Sequence, residues 1–435
     1  MFNTGIAIFI LLGGFLLLVA LRFPIAFAVG VATMSCLLYM GEDLTILAQN
    51  IPQGVYSFTL MAVPFFITMG MLMGSGGISD RLIKLANAIV GWMRGGLAMV
   101  NIVASYFFGG ISGSAAADTA SIGSIMIPMM EKAGYDRDFS TAVTITSSCE
   151  GLLVPPSHNM VIYATAAGGI AGGVSVAKLF LAGYVPGAIL ASTLMIGSYI
   201  ISVRRKYPKG DGFSIGNLLR QIFSAFWALA TVVFVVVSVV AGWCTATESA
   251  AIAVIYSLVV SVFIYRGMNW KEVWKGLTES INILSIVMIL IAISSAFGYC
   301  LTILRVPALV ASAIMSLTDN PIIIALIINA VLLLLGCVMD MAPIIVITTP
   351  ILLPLAVSIG MHPITYGILL ILNTGIGLLT PPVGAVLFIG SAVAKLPMEK
   401  VVKATLPFYL CMVGALLLLT FIPELSLFLP NLISQ

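Results

Sequence analysis

Two proline pairs constrain this chain more than any other feature. Pro155-Pro156 and Pro381-Pro382 each lie inside an apolar run long enough to cross a bilayer. Proline has no N–H to donate and pushes the residue before it into an extended conformation, so a helix breaks at each pair. Lipid cannot satisfy the peptide groups freed there. Irregular backbone at membrane depth must be packed in protein or line a wet cavity. The pairs are also in register. Residues 114–156 laid on residues 340–382, an offset of 226, align without a gap, with 10 of 43 positions identical. Composition alone gives roughly three or four identities over such a stretch. Pro128 falls on Pro354, Gly134 on Gly360 and Gly151 on Gly377. We read two copies of one plan that build two halves of one binding site.

Composition sets the solvent. Of 435 residues, 61% are hydrophobic and 8% charged, with mean hydropathy +1.17. Soluble domains carry about 25% charged residues, so the expected class is an all-α polytopic membrane protein. The net charge of +3 forms no tract suited to nucleic acid. The six cysteines are scattered through apolar runs without a C-x-x-C and read as small buried hydrophobes. No Walker loop and no G-x-S-x-G elbow occurs, which argues against direct ATP drive and serine hydrolysis, so the chain is not read as an enzyme. The N-terminus lacks a basic n-region, so its first apolar run is expected to be a retained helix.

Ten spans are expected, five in residues 1–210 and five in residues 211–435. In the first half they run about 5–20, 24–40, 59–72, 139–167 with a break at Pro155-Pro156, and a fifth ending near 203. In the second they run about 223–242, 245–265, 281–301, 364–394 with a break at Pro381-Pro382, and 406–422. Residues 79–94 and 305–318 read as amphipathic pieces, the first of them interfacial. Two further apolar stretches, about 97–130 and 322–355, are interrupted by small or polar turns. If both return to the side they came from and the N-terminus is outside, 17 of the 19 Lys and Arg residues fall inside; only Lys178 and Arg305 fall outside. A full crossing by either stretch inverts everything downstream and destroys that asymmetry. They are therefore re-entrant hairpins, the first entering from the cytoplasm and the second from outside. An odd number of crossings per half makes the halves inverted repeats, the plan of secondary transporters.

The breaks carry the chemistry. Freed carbonyls beside hydroxyls suit a desolvated Na⁺, while half-helix N-termini favour an anion in the same space. Ser112-Gly113-Ser114 at the first hairpin tip offers hydroxyls and close backbone approach; Asp340, at the equivalent of Ser114, can neutralise a cation. Asn159, Asn373 and Thr374 flank the breaks and either bind substrate or satisfy freed backbone. Asp118, Glu150 and Glu248 are the other acids within apolar runs, and such residues usually face the bundle interior or water. For Glu248, helix capping competes with function. The lone histidines His158 and His362 have no metal-ligand spacing and read as structural.

The motifs Gly110-Ile-Ser-Gly-Ser-Ala-Ala-Ala-Asp-Thr-Ala120, Leu152-Leu-Val-Pro-Pro-Ser157, Ile347-Thr-Thr-Pro-Ile-Leu-Leu-Pro354 and Leu379-Thr-Pro-Pro-Val-Gly384 resemble the large membrane subunit of TRAP (tripartite ATP-independent periplasmic) transporters, the DctM-like family. The resemblance covers nearly the whole chain. It implies an elevator mechanism in a bacterial inner membrane and Na⁺-coupled uptake of an organic acid, such as a C4-dicarboxylate, a sialic acid or a sugar acid. It also implies a small four-helix membrane subunit, expected here as a separate polypeptide, and a periplasmic substrate-binding protein. One implied Na⁺ site uses Ser112, Gly113, Ser114, Gly151, Pro155 and Ser157. The other uses Asp340, Gly377, Thr380 and Pro382. Substrate is implied between the tips, near Ser114, Asn159, Asn373 and Thr374. A self-sufficient Na⁺- or H⁺-coupled carboxylate carrier is the competing expectation.

Overall fold

The computed structural model describes residues 3–21, 23–170, 172–210, 212–381 and 383–433. Arg22 and Pro382, both used in the sequence argument, lie outside the described residues. The fold is all-helical; among the described residues no strand forms beyond one isolated bridge between Arg94 and Lys209.

The first half builds α1 (Thr4–Ala20), α2 (Ile25–Met40), α3 (Thr45–Val55), α4 (Thr59–Ser75) and α5 (Ile78–Val90). A hairpin follows, α6 (Gly96–Ser112) and α7 (Ala115–Lys132). Next comes a broken helix in three pieces, α8 (Arg137–Ser147), α9 (Glu150–Leu153) and α10 (His158–Ala166), and then α11 (Val176–Arg204). The second half builds α12 (Ile215–Val240), α13 (Ala246–Ile264), α14 (Trp270–Ile303) and α15 (Val306–Leu317). Its hairpin is α16 (Pro321–Gly336) and α17 (Met341–Ser358), and its broken helix is α18 (Pro363–Gly377) and α19 (Ala385–Ala394). The chain closes with α20 (Met398–Phe421) and α21 (Glu424–Ile433). Among the described residues six helices are long and apolar enough to cross a membrane singly, one of them the hairpin arm α17 and the other five expected crossings, and the pair α3–α4, bent by 61°, makes up to seven. The other expected crossings fall to α1, α2 and the two broken helices.

The differences from the sequence reading have local causes. The apolar runs locate α12, α14 and α20, but each helix starts 8 to 11 residues earlier than its run. Two of the three starts are capped by side chains; α20 follows Pro397 with no side-chain cap. Ser214 caps α12, and Asn269 with Glu272 forms a capping box at the start of α14. The sequence gives no warning of α3, because it buries none of its residues and contains Pro52. It docks on α14 through Gly54, where a Cβ would overlap Ser295. Amphipathic α5 buries Ile78, Leu82, Leu85 and Ala86 and packs on α6 and α12. Its Arg81 lies 4.0 Å from the Tyr265 ring centroid and donates to Ser224 Oγ at 3.0 Å.

Helices fall into two groups. α2, α3 and α4 pack on α14, with α12 and α13 beside them. The hairpins and broken helices pack on one another and on α11 and α20. On the polar side, the turn between α7 and α8 is tied down at Asp136, which accepts from the Tyr207 hydroxyl at 2.6 Å and Arg205 at 2.7 Å. The Tyr207 hydrogen bond and then Arg205 hold the Asp136 carboxyl below its ordinary range. Lipid supplies no hydrophobic drive for helices to associate, so close fit and small residues at crossings hold such a bundle together.

Candidate functional site

Each hairpin turns on a capped tip. After α6, Gly113 takes φ +59°, the left-handed region that favours glycine, and extended Ser114 accepts the Ala117 N–H at 3.4 Å. The second turn is longer, residues 337–339, and ends on Asp340, whose Oδ1 accepts the Met341 N–H at 2.8 Å. Ser114 and Asp340, paired by the 226 offset, thus cap equivalent helices with different charge.

Each break lies against its own hairpin. Val154 is extended ahead of Pro155, as a residue before proline should be, and α10 restarts at His158. Gly151 crosses Gly109, and Gly377 crosses Gly336, so closely that a Cβ on any of the four would press on the opposite backbone. One hydrogen bond also ties each break to a tip carbonyl. Asn159 Nδ2 donates to Gly113 O at 3.2 Å, and Val383 N–H donates to Cys337 O at 3.1 Å.

Both tips and both breaks border one cavity of about 310 Å³. Its polar lining is Ser112, Ser114, His158, Asn159 and Asp340. The rest is apolar, with Leu152, Leu378 and Val386 from the breaks and Ile67, Met71, Ile283 and Ile286 from α4 and α14. Among the described residues no Lys or Arg lines it. An anion here therefore meets hydroxyls, imidazole and backbone, and its charge needs a partner that the side chains do not supply.

The structure brings some expected residues together and leaves others apart. Ser112, Ser114, Asn159 and Asp340 line the cavity. Gly113, Gly151, Pro155 and Ser157 gather behind the first tip. The ideal Cβ position on Gly113 is 3.4 Å from Ser157 Cα, and that on Gly110 is 2.9 Å from Pro155 O. Ser157 Oγ is buried with no hydrogen-bond partner among the described residues, so a cation there finds an oxygen to spare. On the second side Gly377 lies against Gly336, and the Thr380 hydroxyl donates to Ile376 O at 2.8 Å.

Asn373 and Thr374 do not reach the cavity. They are buried in α18, where Asn373 donates to Asn329 Oδ1 at 2.8 Å and Leu369 O at 2.7 Å. Thr374 donates to Leu370 O at 2.7 Å. Asn373 Nδ2 thus faces α16 and its own helix and the Thr374 hydroxyl its own helix, while Asn373 Oδ1 is buried with no hydrogen-bond partner among the described residues. Glu248 forms a capping box with Thr245 at the start of α13. Asp118 and Glu150 are fully buried, and their carboxylate oxygens have no hydrogen-bond partner among the described residues. His362 caps α18 by accepting the Ile364 N–H at 3.2 Å, a structural role. His158 departs from the sequence reading, because it lines the cavity and its buried Nδ1 has no hydrogen-bond partner among the described residues. The α4 and α14 wall was also missed, since apolar residues of a span look the same whether they face lipid or cargo.

Comparison with known proteins agrees with this architecture. A family described as "Tripartite ATP-independent periplasmic transporter, DctM component" matches residues 12–425. The chain is 40% identical over 428 residues to the uncharacterized protein YgiK of Salmonella typhimurium, covering 98% of this chain and 97% of that one. It is 38% identical over 398 residues to the C4-dicarboxylate TRAP transporter large permease protein DctM of Pseudomonas aeruginosa, covering 92% of each. Its fold resembles the crystal structure of the YdaH transporter of Alcanivorax borkumensis, with TM-score 0.65 and 13% identity over 89% of this chain and 88% of that one.

Proposed function

We propose a function from one premise: this chain belongs to the DctM component family of tripartite ATP-independent periplasmic transporters. On our reading it is the large membrane subunit that carries an organic acid into the cell together with Na⁺. The cavity between tips and breaks carries this reading. It is built for a small ligand, and among the described residues its lining pairs neutral donors with one carboxylate and no Lys or Arg. Moving an anion alone into such a place is costly. Na⁺ held by tip and break oxygens offsets that cost, so cation and cargo favour each other's binding. We place one Na⁺ among Ser112, Gly113, Ser114, Gly151, Pro155 and Ser157, and a second beside Asp340, Gly377 and Thr380.

Residues 1–210 and 211–435 are proposed as the inverted repeats. Support comes from the core, where Cys149 Sγ donates to Gly375 O at 3.1 Å. These positions differ by 226, and a residue can touch its own repeat equivalent only near the axis that relates the copies. The excess of Lys and Arg on one side supports a periplasmic N-terminus in the inner membrane. The cavity lies where hairpins and broken helices meet α4 and α14, which suits an elevator in which the first group moves against the second. A small membrane subunit and a periplasmic binding protein complete the proposed system.

The test is reconstitution in proteoliposomes with and without those two partners. We expect uptake of labelled organic acid only with both partners and an inward Na⁺ gradient. Full uptake by this chain alone points to a self-sufficient carrier, and uptake indifferent to Na⁺ removes the coupling.

A further inference from the structure

We propose that the cargo of this site is a monocarboxylate with an apolar body, and that the His158 imidazole meets its carboxylate. The inference rests on the cavity being the transport site, and it begins with the division of the lining. The polar side chains stand at the two hairpin tips and at the start of α10. Everything else around the space is apolar, including the wall of Ile67, Met71, Ile283 and Ile286. A sugar acid would press its hydroxyls against that wall without partners, and a dicarboxylate would press a second charge there. A short aliphatic or aromatic body fits it, and about 310 Å³ lies at the small end of ligand cavities.

The carboxylate needs a donor, and the first tip has few left. One Asn159 amide hydrogen goes to Gly113 O at 3.2 Å, and the Ser112 hydroxyl is turned toward Ser114 O at 3.5 Å; the second Asn159 hydrogen and the Ser114 hydroxyl remain as neutral donors beside the histidine. His158 is different. Its ring lines the cavity beside the tip; Nδ1 is buried against Gly113, 3.2 Å from where a Cβ there would stand, with no hydrogen-bond partner among the described residues, so Nε2 is the nitrogen the ring offers to a carboxylate. It stands at the first position of α10, whose nine residues aim their N–H dipoles the same way. A single imidazole beside one helix start suits one carboxylate.

The experiment uses the full chain in lipid nanodiscs with saturating NaCl. Thermal stabilisation is titrated with three probes: 4-methyl-2-oxopentanoate, succinate and gluconate. We expect the branched oxoacid to bind at least about tenfold more tightly than the other two. Equal or tighter binding of succinate or gluconate overturns the apolar-body claim while leaving a carboxylate site in place. Failure of all three to stabilise the protein in Na⁺ overturns the transport-site reading together with this one. For the histidine, H158A should weaken oxoacid binding at least about tenfold, and H158Q, which keeps an N–H donor, should stay within about threefold of wild type. Stabilisation by Na⁺ alone, unchanged in both variants, verifies the fold. Unaltered oxoacid affinity in H158A removes the histidine from the site.

Discussion

The two hairpin-and-break units share a backbone plan and differ in chemistry. Each has a glycine-to-glycine crossing, a capped tip and one hydrogen bond from the break to a tip carbonyl. The first unit presents hydroxyls, an amide and an imidazole to the cavity; the second presents a carboxylate and aliphatic side chains. The offset makes the contrast concrete. Ser114 corresponds to Asp340, His158 to Gly384 and Asn159 to Ala385. If the halves are the proposed repeats, their shared backbone fixes where peptide groups are exposed, and the few side chains that differ decide which charge each half accepts. On this account the first half meets the anion and the second offsets the cation, although oxygens for Na⁺ come from both.

The shared plan is the first thing to break. A side chain at either crossing separates a break from its hairpin. G151V and G377V should each lower uptake at least about a hundredfold while the protein still inserts, since overpacking a buried contact costs one to several kcal/mol and displaces the site. Near wild-type uptake in either, measured in proteoliposomes, makes that crossing ordinary packing. Replacing Pro381-Pro382 by Ala-Ala should abolish transport equally, by letting α18 run on; uptake that survives shows only a kink.

Exchanging the caps sharpens the contrast. The double variant S114D/D340S keeps both hairpins capped and the net charge unchanged, but moves the carboxylate to the anion's half. It should lose at least about tenfold in uptake, through repulsion of cargo and loss of the cation's partner. Wild-type uptake means that charge count matters and placement does not. D340N alone should weaken the apparent Na⁺ affinity by about fivefold to tenfold. An unaltered Na⁺ response removes Asp340 from the ion site. The smallest effect is expected from N159A, which frees the Gly113 carbonyl and should cost about threefold to fivefold in uptake. No change there makes the bond to the first tip dispensable.

What the sequence disclosed follows from which residues act on backbone. Proline and glycine impose conformation locally, so both breaks, both tips and the pairing of Ser114 with Asp340 were legible from the 226 offset alone. Side-chain direction was not. Asn373 and Asn159 both stand near a break, yet the α18 packing turns Asn373 to Asn329 while α10 turns Asn159 to the tip. A lone histidine is most often satisfied internally, which is true of His362, while His158 Nδ1 has no hydrogen-bond partner among the described residues. The signal that separates them is position. His158 opens a half-helix two residues after a proline pair, where the chain must already have left regular packing. The α4 and α14 wall left no sequence trace, because aliphatic side chains do not declare what they face.

The central claim is that cation and anion occupy one cavity and stabilise each other there. Calorimetric titration of the full chain with a carboxylate that it binds, at increasing NaCl with KCl holding ionic strength constant, addresses it directly. Reciprocal linkage predicts a carboxylate Kd at least about tenfold lower in saturating Na⁺ than in K⁺ alone, and Na⁺ affinity raised by the same factor when the carboxylate is bound. A Kd that is the same in Na⁺ and in K⁺ contradicts it.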